Sequence, residues 1–76
     1  VLKFPKLSGK DVVKVLVKEF AFETTRQTGS HVVLRKFVAG KKIVTIVPLH
    51  RELKTGTLLG VLGLAKIEKD DFLKHL

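Results

Sequence analysis

Three short runs rich in β-branched and aromatic residues, Phe22–Gln27, His31–Val38 and Lys42–Val47, follow one another with only Thr28-Gly29-Ser30 and Ala39-Gly40-Lys41 between them. Glycine-containing connections of this length suit hairpins and are too short for a crossover, so the three runs predict an antiparallel meander. Alternation along the middle run places His31, Val33, Arg35 and Phe37 on one face and Val32, Leu34, Lys36 and Val38 on the other. Both faces carry apolar residues, and periodicity leaves open which one is buried.

Helical patterns flank the meander. Ser8 is placed to cap a first helix, with Asp11 at the capping-box position and Leu7 and Val12 at the two staple positions. That helix runs to about Phe20. Val12, Val13, Leu16, Val17 and Phe20 form its apolar stripe, and Lys10, Lys14 and Lys18 a basic row that reads most simply as its wet side. Pro48 ends the third strand and opens a connector to a second helix starting near Thr55 as N-cap, with Leu58, Val61, Leu62 and Ala65 on its buried face. Gly60 and Gly63 each cost that helix about 1 kcal/mol of intrinsic helicity, so it depends on tertiary contact. A last short helix over about Lys69–His75 is expected to dock Phe72, Leu73 and Leu76. The order α-β-β-β-α with a helical tail predicts an α+β domain, helices on one face of a three-stranded antiparallel sheet. At 76 residues there is room for a single domain, residues 1–76, and one core.

The net charge of +8 is unevenly spread. Residues 1–22 carry five Lys or Arg against two acids, residues 23–47 five against one, and residues 48–76 five against four. So basic a surface suits a partner rich in phosphate, although a solvated lysine coat, an anionic membrane surface or an acidic protein accounts for charge alone equally well. The N-terminal segment, with Lys3, Lys6 and Lys10, has no apolar run of signal-peptide type, and no run of 18 apolar residues occurs. The expectation is a soluble protein of the cytoplasm. Cysteine is absent, which removes disulfides and thiolate chemistry.

The chemistry-bearing residues are few. His31, His50 and His75 have none of the spacings of a zinc site, so neither metal nor cofactor is expected. There is no phosphate-binding glycine loop, no dinucleotide fingerprint and no carboxylate pair in an apolar setting. A histidine among cations suits one reaction well: cleavage of RNA by its own 2′-hydroxyl. That reaction needs a group titrating near neutrality to move a proton, and cationic or N–H donors for the charge growing on the phosphate. His31 follows the Gly29-Ser30 turn, where backbone N–H groups approach a phosphate closely and Ser30 adds a hydroxyl. Arg26, Arg35 and Lys36 are near it in sequence. The plainer reading makes His31 a half-exposed strand residue, Gly29 a turn residue needing positive φ, His50 a loop-holding residue and His75 a helix-end residue.

Four segments carry a resemblance: Leu7-Ser8-Gly9-Lys10, then Arg26 through Leu34 with Thr28-Gly29-Ser30-His31 at its centre, then Val47-Pro48-Leu49-His50, and Gly56-Thr57-Leu58. In identity, order and spacing they are similar to the HicA toxins. The resemblance implies a double-stranded-RNA-binding-domain-like fold and a ribosome-independent mRNA endonuclease, the toxin of a type II toxin–antitoxin pair. It also implies a HicB-type antitoxin that masks the active site. It places the catalytic histidine at His31 and the motif glycine at Gly29, with His50 in a second motif. Ser30, Arg26, Arg35, Lys36, His50, Lys10 and Lys14 are then the candidates for supporting His31 or holding RNA. Which group shares proton transfer with His31, among Lys36, His50 and water, stays open. The chain departs from the family pattern at Ala21, where Gly is usual before Phe22, and at Leu59, where a basic residue is common. A non-catalytic module binding double-stranded RNA, and a basic face docking an acidic protein, are the competing readings.

Overall fold

A computed structural model describes residues 5–76, and Lys3 of the basic N-terminal segment lies outside them. Among the described residues the elements are α1 (Gly9–Phe20), β1 (Glu23–Thr28), β2 (His31–Val38), β3 (Lys41–Pro48), α2 (Thr55–Ala65) and α3 (Lys69–Leu73). The strands form one antiparallel sheet in the order β1-β2-β3, as the two short connections require.

Helix α1 begins where the sequence marks it. The Ser8 hydroxyl accepts the Asp11 N–H at 3.1 Å, and the Asp11 carboxylate accepts the Ser8 N–H at 3.2 Å. The backbone and hydroxyl of Ser8 hold the Asp11 carboxyl below its ordinary value of 3.8. This contribution to stability is complete above that value and is lost as pH falls through the lower folded one. Ser8→Ala is expected to cost about 1 kcal/mol and lower the melting temperature by roughly 4–8 °C in a thermal denaturation series. At the other end Ala21 adopts the left-handed conformation, φ 61°, and the Phe22 N–H reaches back to the Leu16 carbonyl at 3.1 Å. The turn therefore forms without the usual glycine, at a steric cost carried by the alanine Cβ. Ala21→Gly is expected to raise stability by about 0.5–1 kcal/mol, measurable by urea denaturation.

The buried face of the sheet is the one carrying Val32 and Leu34, which pack with Thr45 and Val47 of β3 under Val12 and Leu16 of α1 and Leu58, Val61, Leu62 and Ala65 of α2. Thr45 is fully buried, its hydroxyl donating to the Val61 carbonyl at 2.8 Å. The opposite face, with His31, Val33, Arg35, Phe37, Val44 and Ile46, has no helix over it among the described residues; Phe37 is 60% exposed.

Several boundaries differ from the sequence expectation. Phe22 is a core residue ahead of β1, and β3 extends through Pro48, which pairs with His31. Lys54 rather than Thr55 occupies the N-cap of α2, and no side chain caps it. Helix α3 stops at Leu73, and of the three residues expected to dock only Phe72 is fully buried while Leu76 is exposed. His75 lies beyond that helix, its Nδ1 3.4 Å from Glu19 and its ring edge-on to Phe20, so it ties the tail to α1.

Candidate active site

Three segments far apart in sequence meet at one end of the sheet. The tight turn of Gly29 and Ser30, with Gly29 at φ 57°, joins β1 to β2 and delivers His31 as the first residue of β2, paired with Thr28 on one side and Pro48 on the other. Beyond that pair the Leu49 N–H donates to the Ser30 carbonyl at 2.6 Å, which extends the ladder into the connector. The connector in turn receives α1: the Gly9 N–H donates to the His50 carbonyl at 2.9 Å, and the Leu53 N–H to the Leu7 carbonyl at 2.8 Å. A Cβ on Gly9 would lie 2.0 Å from the Pro48 carbonyl oxygen, so helix and connector touch backbone to backbone. The Ser8-Gly9-Lys10, Gly29-Ser30-His31 and Pro48-Leu49-His50 segments thus form one continuous structure.

His31 is exposed, and among the described residues no protein group holds its imidazole. Its backbone is fixed on both sides by strand pairing, while its ring is left open to solvent. His50 is also exposed. Its contribution to the loop is made by its backbone carbonyl, not by its ring.

The cations divide into near and far. A β-bulge at Thr25 shifts the register of β1, so that Thr24 opposes Leu34 on the buried face whereas Arg26 opposes Val33 on the open one. Without the bulge Thr24 and Arg26 would share a face; with it, Arg26 is delivered to the face of His31, one row away. Lys10 stands on the first turn of α1 and Lys14 one turn further, both exposed. Arg35 shares the open face but is four positions along β2, where it pairs with Glu23 at 2.7 Å and lies over the Phe37 ring. Lys36 is on the helix-covered side, donating to the Phe20 carbonyl at 3.1 Å and lying 4.9 Å from the centre of the Phe22 ring. Five positions along the strand, about 17 Å from His31, it holds the end of α1 against the sheet. The braced segments therefore bring Gly29, Ser30, His31 and His50 to one end of the sheet, with Arg26 one row away and Lys10 on the first turn of α1, whereas Arg35 and Lys36 lie further along β2 with partners of their own.

Sequence spacing gave no sign of a concavity beside these residues. Between α1 and the edge strand β1 runs a groove of about 340 Å³ lined by Lys10, Val13, Thr24, Thr25, Arg26, Gln27, Val32 and Leu49. No group of three or more His, Asp or Glu side chains converges to hold a metal among the described residues, and no helix there is long and apolar enough to cross a membrane.

Fold and site define a small basic α+β domain that presents one open histidine at a glycine turn braced by a Pro-x-His connector. The chain belongs to the HicA toxin family, described as HicA toxin of bacterial toxin–antitoxin systems, whose model matches residues 9–67. No curated protein and no solved structure gave a significant match. The matched span includes every residue gathered at the site.

Proposed function

We propose that this chain is a ribosome-independent mRNA endoribonuclease, acting in the cytoplasm as the toxin of a pair whose other member is a HicB-type antitoxin. Its double-stranded-RNA-binding-domain-like order of elements is in keeping with an RNA substrate. The observation that carries the reading is the convergence of three segments on His31, which fixes its backbone and leaves its imidazole unoccupied.

The proposed chemistry needs no metal. Neutral His31 removes the proton of a ribose 2′-hydroxyl as that oxygen attacks the adjacent phosphorus. The O2′–P bond forms and the P–O5′ bond breaks, and the departing 5′-oxygen takes a proton from the imidazolium or from water. The products are a 2′,3′-cyclic phosphate and a free 5′-hydroxyl. Arg26 on the same face and Lys10 across the groove offset the charge gathering on the phosphate. Arg35 and Lys36 already have partners within the fold, which leaves His50 or water as the group that shares proton transfer.

The test is incubation of the purified protein with mixed RNA in EDTA beside His31→Ala. Cleavage by the parent alone supports the reading. Cleavage by both, or by neither, contradicts it.

A further inference from the structure

The groove between α1 and β1 has a composition that the chemistry at His31 does not require. Its floor is apolar, from Val13, Val32 and Leu49, and its wall is polar, from Thr24, Thr25 and Gln27. Among the described residues its charged lining residues are Lys10, on the helix side, and Arg26, which reaches it at the β1 edge from the open face, and no acid lines it. Its volume of about 340 Å³ is at the lower end of pockets that take a small flat ligand. Gln27 and Val32 form the pair next to Thr28 and His31 on the β1–β2 ladder, so the groove begins one pair from the histidine and on the other face. The Gln27 amide also donates to the Gly29 carbonyl at 3.2 Å, linking the groove wall to the turn.

We infer that this groove is a nucleobase subsite: the base of a nucleotide flanking the cleaved bond enters between α1 and β1, and its preference there sets where the RNA is cut. The inference rests on the endoribonuclease reading and adds a source of specificity to it. An RNA strand crossing the sheet edge at the Gly29-Ser30 turn meets the groove on one side and His31 on the other. The apolar floor accepts the flat face of a base, the Thr24 hydroxyl and the Gln27 amide oxygen meet its polar edge, since the Thr25 hydroxyl already donates to the Val33 carbonyl, and Lys10 and Arg26 at the rim meet the phosphates on either side of it. The other occupant such a groove admits is a peptide strand added to the β1 edge. The bulge at Thr25 disfavours it, because it interrupts the regular ladder on which strand addition depends.

The test uses the His31→Ala protein, so that substrate persists, and follows methyl resonances while single-stranded oligoribonucleotides differing in base are added. Expected are shifts at Val13, Val32 and Leu49 and affinities differing by about tenfold between the best and worst base, a difference that Thr24→Phe, which fills the groove from an exposed wall position, abolishes. Shifts confined to Val33, Val44 and Ile46 would place the RNA on the open sheet face and overturn the inference. Equal affinity for every base would overturn it too, as would displacement of RNA-independent groove signals by an acidic peptide alone. Because the readout is binding, groove shifts together with an inactive parent protein would discard the nuclease reading and leave the subsite standing.

Discussion

His31→Ala is expected to abolish RNA cleavage while leaving the fold and the affinity for RNA close to unchanged. Removing a positioned proton-transfer group costs about 10²–10⁴-fold in rate. The side chain is exposed and makes no hydrogen bond or ion pair among the described residues, so its loss belongs with surface substitutions that change stability by less than about 0.5 kcal/mol. The cations proposed to meet phosphates, Arg26 and Lys10, are elsewhere and exposed, so the slope of binding against salt concentration should be the same for both proteins. Rate loss with intact binding and melting temperature separates catalysis from both other roles of the surface. A parallel fall in binding would make His31 a contact residue and not a proton-transfer group.

Gly9→Ala is expected to be the most damaging single-methyl change in the chain. The added Cβ would sit 2.0 Å from the Pro48 oxygen and 2.8 Å from the Leu49 Cα, both backbone atoms with no rotamer to escape into. To relieve the overlap α1 must move off the connector, which breaks the Gly9–His50 hydrogen bond and disturbs Val12 and Leu16 in the core. The cost is about 3 kcal/mol, or roughly 12–24 °C in melting temperature for a domain of this size. The same substitution at Gly60, inside α2 with nothing within 4 Å of the new methyl, should stabilise by up to about 1 kcal/mol. Opposite signs for one chemical change, read by calorimetry on the two variants, would locate the effect in the helix–connector contact. Equal effects would mean that the contact is loose.

The fate of Gly9 shows where sequence reasoning stops. A Ser-Gly-Lys-Asp run is legible as a helix start, and the capping box is there as read. That the glycine meets a carbonyl thirty-nine positions away is a long-range fact with no local periodicity to announce it. The meander was legible because its connections were too short for any other topology. Its buried face was not, since Val33, Val44 and Ile46 make the open face nearly as apolar as the covered one. At α2 and α3 the boundaries moved because the capping preference of Thr55 and the helical pattern through His75 are weak local signals, and contacts of Phe20 and Glu19 with His75 decide the tail.

For the site, the motif residues were legible by identity, but their grouping depended on register. Lys36 is close to His31 in sequence and distant in space, while Arg26 reaches the face of the histidine only because Thr25 bulges. No residue type encodes that bulge, so the groove it helps to shape was invisible until the strands were paired.

The central claim, that His31 drives attack of a ribose 2′-hydroxyl on the neighbouring phosphate, is tested most directly by the ends of the cut RNA. A short RNA carrying the preferred cleavage site should give a 2′,3′-cyclic phosphate and a 5′-hydroxyl in EDTA, and the same RNA with a single 2′-deoxyribose at the cleaved position should remain whole. Cleavage of the deoxy-substituted bond, or products bearing a 5′-phosphate, would mean that water and not the 2′-hydroxyl is the nucleophile, and would contradict the account.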